Sequence, residues 1–468
     1  MADYELAIIG GGISGLAAAF TLEEQRRAGA PVEYVLFESS PRFGGVIATE
    51  RVEDCLVEAG PDSFLTEKPW AADLCRTLGL SDQLIGSNDA QRKTYILVND
   101  KLVAIPDGLM FMVPTKFMPT LLSPLFSFRS KLQIAREWFH TSNQSAADET
   151  VASFVERHYG TEMVDRLADP LLSGIYGGNA SHLSMRAVLP RFLEMEAKHG
   201  SLGRAIMAGR AKTAPNSARP LFTSLKDGMQ LMVDTLVARL TPTALNLNRP
   251  VRSMHPQEGG WLISTGDKSY RFDAVIMATP TYIAATLLQD ASHDLSAELR
   301  AILYSSSVTV TLAYDQNVRA MLPPGFGFLV PRTEGKRLLA ATFVHNKFSD
   351  RAPADRALIR CFLGGSRDQQ ILQSSDEEIL RIVREELKQI LGLAAEPIFS
   401  RIYKWNAAMA QYTLGHLERL QRIQQFSRGL PALALAGNGY SGIGVPDCVR
   451  SGVDAATALT GNYSGNPQ

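Results

Sequence analysis

Cysteine is scarce in this sequence. Its 468 residues hold four, Cys55, Cys75, Cys361 and Cys448, and no two of them form a CxxC pair. That spacing offers no disulfide framework and suits a reduced, cytoplasmic setting. An excess of charge of one sign is also missing. Lys and Arg number 47 against 48 Asp and Glu, a formal net charge of -1, so nothing marks a nucleic-acid-binding surface. No stretch of 18 or more apolar residues occurs, which argues against a spanning helix. No basic stretch precedes the first apolar run, Leu6 to Ile9, and glycines cut that run short, unlike a secretory signal. There is no internal repeat and no convincing acid/base dyad. His182, His199 and His416 are scattered, as structural histidines usually are, and no metal set is expected.

What the sequence does have is glycine in two telling places. IIGGGISGLAAAF carries Gly10, Gly12 and Gly15 in a GxGxxG spacing. A short buried strand (Tyr4 to Ile9) precedes it, helical spacing (Ser14 to Arg27) follows, and a second strand (Glu33 to Phe37) ends at Glu38. This is a βαβ unit with an acid at the tip of strand two, the pattern of a dinucleotide site. Gly10 permits the tight turn, Gly12 lets a pyrophosphate approach the backbone, and Gly15 lets helix pack on strand. Gly11, Ile13 and Ser14 complete the turn, whose helix N-terminus offers unpaired N–H groups to phosphate. Glu38 suits ribose hydroxyls. Ser39 follows it, then Arg42, placed to reach the ribose or phosphate side, and Gly44, Gly45 and Val46 give another close backbone approach.

A second GxGxxG, at Gly437, Gly439 and Gly442, has no second βαβ unit around it. It reads as strand (Ala432 to Ala436), turn and helix (Asp447 to Leu459), with Pro446 suited to the first helical turn. Between the two ends, Leu221 to Thr223, a helix, and Leu245 to Arg252 read as strand, helix and strand. Trp261 to Thr265 and Ser269 to Phe272 read as a hairpin, and Phe272 to Pro280 as a buried strand. Residues 98–200 read as helical. Strands at Val308 to Tyr314, Leu338 to Phe343 and Leu358 to Leu363, with a helix at Asp376 to Leu391, suggest a mixed sheet. The expected fold is α/β. A discontinuous Rossmann-like domain (1–97, 201–285 and 429–468) carries a helical insertion (98–200) and a mixed-sheet substrate domain (286–428). Asn216 to Pro220 and the tail from Gly461 are the loop-like segments. Leu109 to Phe128, broken by three prolines and followed by Arg129, Lys131 and Arg136, stays open between core helices and shallow insertion into a membrane face.

GxGxxG, the strand-end Glu and RxGG together resemble the FAD enzymes of the amine oxidase and protoporphyrinogen oxidase superfamily. Longer stretches narrow this. VEAGPDSFLTEK, DPLLSGIYGGNASHLSM, LPRFLEMEAKHGSL, TFVHNKFSDRAP, KWNAAMAQYTLGH and GVPDC are similar to the matching stretches of bacterial oxygen-dependent protoporphyrinogen and coproporphyrinogen oxidases. The likeness runs nearly end to end. It implies that Gly60, Pro61, Asp62 and Ser63 lie at the flavin, that Trp405, Val251, Gly437, Gly444, Val445 and Pro446 border FAD, and that Lys68, Gly174 and Ile175 line the substrate pocket. It also implies oxidation of a porphyrinogen to a porphyrin within heme biosynthesis, in three two-electron steps, with dioxygen as acceptor and hydrogen peroxide as product. A porphyrinogen needs an apolar slot, a cation for its rim carboxylates and a carbonyl for its pyrrole N–H groups. Two rivals share the fold: a flavin amine oxidase and a non-catalytic escort-type carrier. A peripheral contact of 109–139 with the inner face of the cytoplasmic membrane, and a homodimer or contact with other heme-pathway enzymes, complete the expectations.

Overall fold

The computed structural model describes residues 4–110, 112–142, 147–210 and 219–461. Its centre is a five-stranded sheet in the order Leu245–Asn246, Val32–Phe37, Tyr4–Ile9, Ala274–Met277, Leu433–Leu435. Every pairing is parallel. Such a sheet is covered on both faces, so its strands read as apolar runs, and Leu6, Ala7, Ile8, Val275, Ile276 and Met277 are indeed fully buried.

The first helix, Ile13–Arg27, follows the glycine turn at once. Its small residues Ala17, Ala18 and Ala19 are buried, which allows the closing helix Val445–Gly461 to pack close. A Cβ at Gly452 would stand 2.1 Å from the Ser14 carbonyl oxygen, so only glycine permits this crossing. Ser14 Oγ donates to the Cys448 carbonyl at 2.9 Å, across 434 residues of sequence.

A seven-stranded sheet forms the second layer. Its order is Phe399–Ala410, Tyr304–Tyr314, Ala357–Gly364, Leu338–Phe343, Gly327–Leu329, Thr94–Val98, Lys101–Ala104. It is mixed, because Gly327–Leu329 runs parallel to Thr94–Val98 while the other pairings are antiparallel. Helix Asp376–Leu391 covers it. Ser375 caps that helix by accepting from the Glu378 N–H, three acids occupy its first turn, and Gly392 in the left-handed region ends it. Ile379, Ile382, Val383 and Leu387 recur at helical spacing and all face the sheet.

Several expected boundaries shift. Residues 98–200 do not begin helical: Thr94–Val98 and Lys101–Ala104 form a hairpin across residue 97, turning at Asn99 and Asp100, both at positive φ. The helices of that insertion start at Phe117. Leu245 to Arg252 is strand only at Leu245–Asn246, because Asn248 takes positive φ and turns the chain. Strand Ser253–Gln257 then adds a third member to the expected hairpin. The run from Phe272 splits at Asp273, Phe272 closing the hairpin and Ala274 opening the parallel strand. Residues 216–218 and 462–468, part of the two loop-like segments, lie outside the described residues.

Candidate cofactor and substrate site

Parallel α/β sheets bind ligands beyond the C-terminal ends of their strands, and the predicted residues collect there. At the front turn, Gly10 sits at φ +109, and a Cβ on it would stand 2.6 Å from the Ala278 carbonyl oxygen. Gly15 is tighter still, with the Gly10 oxygen 1.9 Å from its Cβ position. Gly12 differs: among the described residues, nothing lies within 4 Å of the place its Cβ would take. It is also the N-cap of the first helix, with no side-chain cap and no acid in the first turn. The N–H groups there are left for an anion. Ile13 and Ser14 are buried beneath them.

Glu38 reaches back to this turn. One carboxylate oxygen accepts the Gly11 N–H at 2.7 Å, the other the Ser40 N–H at 2.7 Å and the Ser39 hydroxyl at 3.3 Å. Gly44 bridges to Gly12, its N–H donating to the Gly11 carbonyl at 2.8 Å. Gly45 is exposed beside it, and Val46 is 40% exposed. Arg42 is tied to its own loop, donating to the carbonyls of Phe43, Gly45 and Ile47. Its work here is to shape the Gly44–Val46 bend. Val251 follows the segment that runs beside Glu38, where the Glu38 N–H donates to Asn246 and its carbonyl accepts from the Arg249 N–H.

Gly60 crosses close over Val46, whose carbonyl oxygen would lie 1.8 Å from a Cβ. The large sheet then clasps this turn. Thr309 Oγ1 and Trp405 Nε1 donate to the Ala59 carbonyl at 3.0 and 2.8 Å, and Arg360 donates to Ala59 and Gly60. Lys347 Nζ lies 3.0 Å from Asp62 and 3.0 Å from the Ser63 hydroxyl, and Pro61 sits half-buried between these groups. Burial alone would raise the Asp62 carboxyl, but Lys347 and Arg360 outweigh it and hold it well below the usual carboxylate range. Arg360, Lys347 and Asp447 escaped the sequence reading. A lone arginine inside the apolar strand ALIRCFLG was a usable signal for Arg360, since a buried cation needs a partner. Lys347 had none.

The tail turn closes the cradle. Gly437 takes φ +125, and its N–H donates to Ser451 Oγ at 3.1 Å. Gly444 precedes helix Val445–Gly461, with Val445 and Pro446 buried in its first turn. Asp447 follows. Its buried carboxylate takes an ion pair from Lys68 Nζ at 2.6 Å, so Lys68 is engaged rather than free. Tyr176 lies near the same carboxylate: burial, then the Asp447 charge, pushes its hydroxyl up to about 12. Tyr176 ends helix Asp169–Tyr176, which also holds Gly174 and Ile175. Gly174 falls in the last turn, where carbonyls lack intrahelical partners, and among the described residues its Cβ position meets only the Leu329 side chain at 3.8 Å. Ile175 is 49% exposed, an apolar face without core around it. Burial pushes the Cys448 thiol up to about 12.

Two other features are set aside on physical grounds. A groove of about 230 Å³ lined by Glu5, Glu33, Tyr34 and Thr241 lies at the N-terminal ends of the parallel strands, the wrong end for a ligand of this sheet. His140, His158 and Glu196 have metal-ligand chemistry, but Arg157 donates to both His158 Nε2 and Glu196, so a cation already stands among them. His416 is a packing residue, stacked on Tyr412 and bonded to the Tyr440 carbonyl at 2.9 Å.

A parallel sheet with an uncapped helix end at Gly12, an acid at the tip of strand two and a closing helix from the distant chain end defines a dinucleotide-dependent oxidoreductase of the two-domain flavin type. The chain belongs to the flavin-containing amine oxidoreductase family, which it matches over residues 13–460. Its cofactor is a flavin, and the dinucleotide turn with Glu38 makes it FAD. Coproporphyrinogen III oxidase of Bacillus subtilis is 32% identical over 98% of both chains. Human protoporphyrinogen oxidase is 32% identical over 97% of this chain and 98% of its own. A crystal structure of a protein from Exiguobacterium sp. 255-15 superposes with a TM-score of 0.89 at 29% identity, covering 99% of this chain and 100% of that one. Cyclohexylamine oxidase of Brevibacterium oxydans, 19% identical with a TM-score of 0.69, shares the fold.

Proposed function

We propose that the protein oxidises a porphyrinogen, coproporphyrinogen III or protoporphyrinogen IX, to the porphyrin, with dioxygen as the final acceptor and hydrogen peroxide released, as a step of heme synthesis. The observation that carries this reading is the junction at Asp447. The helix that closes the cofactor cradle is tied there to Lys68, and the turn before it meets the end of helix Asp169–Tyr176 through Tyr412, which accepts the Gly442 N–H at 2.8 Å and packs edge-on to Tyr176. A cation, a last-turn helical carbonyl at Gly174 and the exposed apolar side chain of Ile175 thus border the side of the cradle where the tail helix begins. Near-full-length relatives named for porphyrinogen oxidation support it.

When bound, FAD supplies the acceptor for a hydride and passes electrons on to dioxygen. The chain's own residues do the rest. N–H groups at Gly12 to Ser14 would face the pyrophosphate. Glu38 would take ribose hydroxyls, with the Val251 segment alongside. The Gly60–Ser63 turn, pinned by Arg360, Trp405 and Lys347, forms one wall. The start of the tail helix, from Gly444 through Pro446, carries roughly half a positive charge and would favour the negative charge a flavin gains on reduction. Gly174 offers its carbonyl to pyrrole N–H groups, Ile175 packs on a ring face, and Lys68 meets a rim carboxylate. No side chain is assigned as acid or base. Cys448 is a buried neutral thiol beside the first helix, which disfavours a covalent flavin link.

Purified protein loaded with FAD is expected to convert both porphyrinogens to fluorescent porphyrins in air, with peroxide formed. Turnover of neither overturns the assignment. A carrier protein would be colourless and take up no flavin, and an amine oxidase would oxidise amines instead.

Among the described residues, no helix is long and apolar enough to cross a membrane. The segment from 109 to 139 nevertheless exposes Met118, Leu122, Phe128 and Phe139, the last two by 84% and 80%, with Arg129 and Arg136 exposed alongside. This supports a shallow contact with an anionic membrane face. Co-sedimentation with phosphatidylglycerol vesicles, lost in the double variant Leu122→Ser/Phe128→Ser, is the expected outcome. Equal sedimentation of both proteins removes the contact.

A further inference from the structure

One cation beside the pocket has no role in the chemistry above. Arg450 lies just under one turn beyond Asp447 in the tail helix. Its guanidinium stands over the Trp70 ring, 4.2 Å from the centroid, donates to the Ser441 carbonyl at 3.3 Å and comes within 3.9 Å of Asp447 Oδ1. Lys68 takes the other carboxylate oxygen at 2.6 Å. The carboxylate is buried, yet Lys68 and Arg450 keep 36% and 35% of their side-chain surface in solvent. Two cations therefore flank one buried anion and leave a net positive charge facing outward. The exposed Glu67 forms no ion pair with either among the described residues. An ammonium has three donors and a guanidinium five, so both retain donors after these contacts. Trp70 holds the guanidinium plane, which limits its rotamers and pre-organises the fork that carboxylates prefer.

We infer that Arg450 is a specificity-determining residue: with Lys68 it forms a two-cation clamp for the rim carboxylates of the substrate and favours a tetracarboxylate porphyrinogen over a dicarboxylate one. This rests on the porphyrinogen reading above. The place is right, because Tyr412 joins the two: its ring packs edge-on to Tyr176, at the helix end that carries Gly174 and Ile175, and its hydroxyl accepts the N–H of Gly442, which abuts the Asp447 carboxylate. Asp447 orients both cations without neutralising the pair, so a substrate carboxylate meets an attractive field with little rearrangement. The Arg–carboxylate contact is the stronger and more directional of the two.

The test uses the full FAD-loaded chain and compares initial rates on coproporphyrinogen III and protoporphyrinogen IX for wild type, R450Q and R450K. R450Q is expected to lower the ratio of the two kcat/KM values, coproporphyrinogen over protoporphyrinogen, about tenfold, carried by KM. R450K, which keeps the charge but not the fork, is expected to recover part of it. Raised salt should weaken coproporphyrinogen binding more steeply in wild type than in R450Q. Bound flavin per chain and melting temperature report whether the variants fold. An unchanged ratio in a folded variant, or equal loss on both substrates, overturns the inference. Wild type inert on both substrates overturns the function itself, a separate result.

Discussion

At the front turn a Cβ on Gly10 or Gly15 would strike backbone, the carbonyl oxygens of Ala278 and Gly10, at 2.6 and 1.9 Å. At the tail turn a Cβ on Gly439 would strike the Thr281 methyl at 2.3 Å, and one on Gly442 the Asp447 carboxylate at 2.4 Å. The two turns share a spacing and differ in use. In front, glycine lets main chain meet main chain, so that a helix sits on its own strand with its end uncapped. Behind, glycine makes room for the side chains that close the cradle from the other side. A shared pattern of glycines thus fixes neither the fold nor the ligand; the neighbours of each missing Cβ do.

Substitutions sharpen this contrast. Gly15→Val drives a branched side chain into the Gly10 carbonyl, and a loss of about 3 kcal/mol or more is expected, seen as a collapse of the melting temperature and of bound flavin. Gly442→Ala keeps a positive φ of +111 that alanine resists and presses on Asp447. About 1–3 kcal/mol should be lost in thermal unfolding, with the flavin still bound. Gly12→Ala has a backbone that alanine accepts, φ -71 and ψ 179. The flavin-free protein should therefore melt within about 1 kcal/mol of wild type, while flavin affinity, measured by titration, falls at least about tenfold. Normal affinity in that variant would show that the pyrophosphate does not pass Gly12. Ser14→Ala removes the hydroxyl that joins the two ends, at a cost of about 1 kcal/mol in denaturant unfolding.

How far the sequence foretold this follows the same line. The first βαβ unit was legible because its apolar runs, glycines and terminal acid are local signals. Helix Asp376–Leu391 was legible because one face is apolar at helical spacing and both ends carry caps. Strand Phe399–Ala410 was not. It is half-exposed along most of its length, it mixes polar and apolar residues, and a register shift in its partner at Ser305–Ser307 breaks the alternation. In the hairpin Thr94–Ala104 the two strands pair with each other, and only Thr94–Val98 has a distant partner, Gly327–Leu329, a pairing that no local signal announces. The site divides likewise. Motif glycines and Glu38 were readable. The ion pairs Lys68–Asp447 and Lys347–Asp62 were not, because each joins segments that only the fold brings together.

The bond between Ser14 and Cys448 spans 434 residues, and that span has a consequence during synthesis. A nascent chain displays the Gly12 half of the cradle early and must wait for helix Val445–Gly461 to leave the ribosome before the other half exists. Until then the first helix lacks its partner, and Ala17 to Ala19 stand open to water and to chaperones. Flavin capture is expected to wait for that helix, and a shortage of the vitamin precursor should reveal itself as poorly packed, protease-sensitive chains rather than as an intact but idle enzyme.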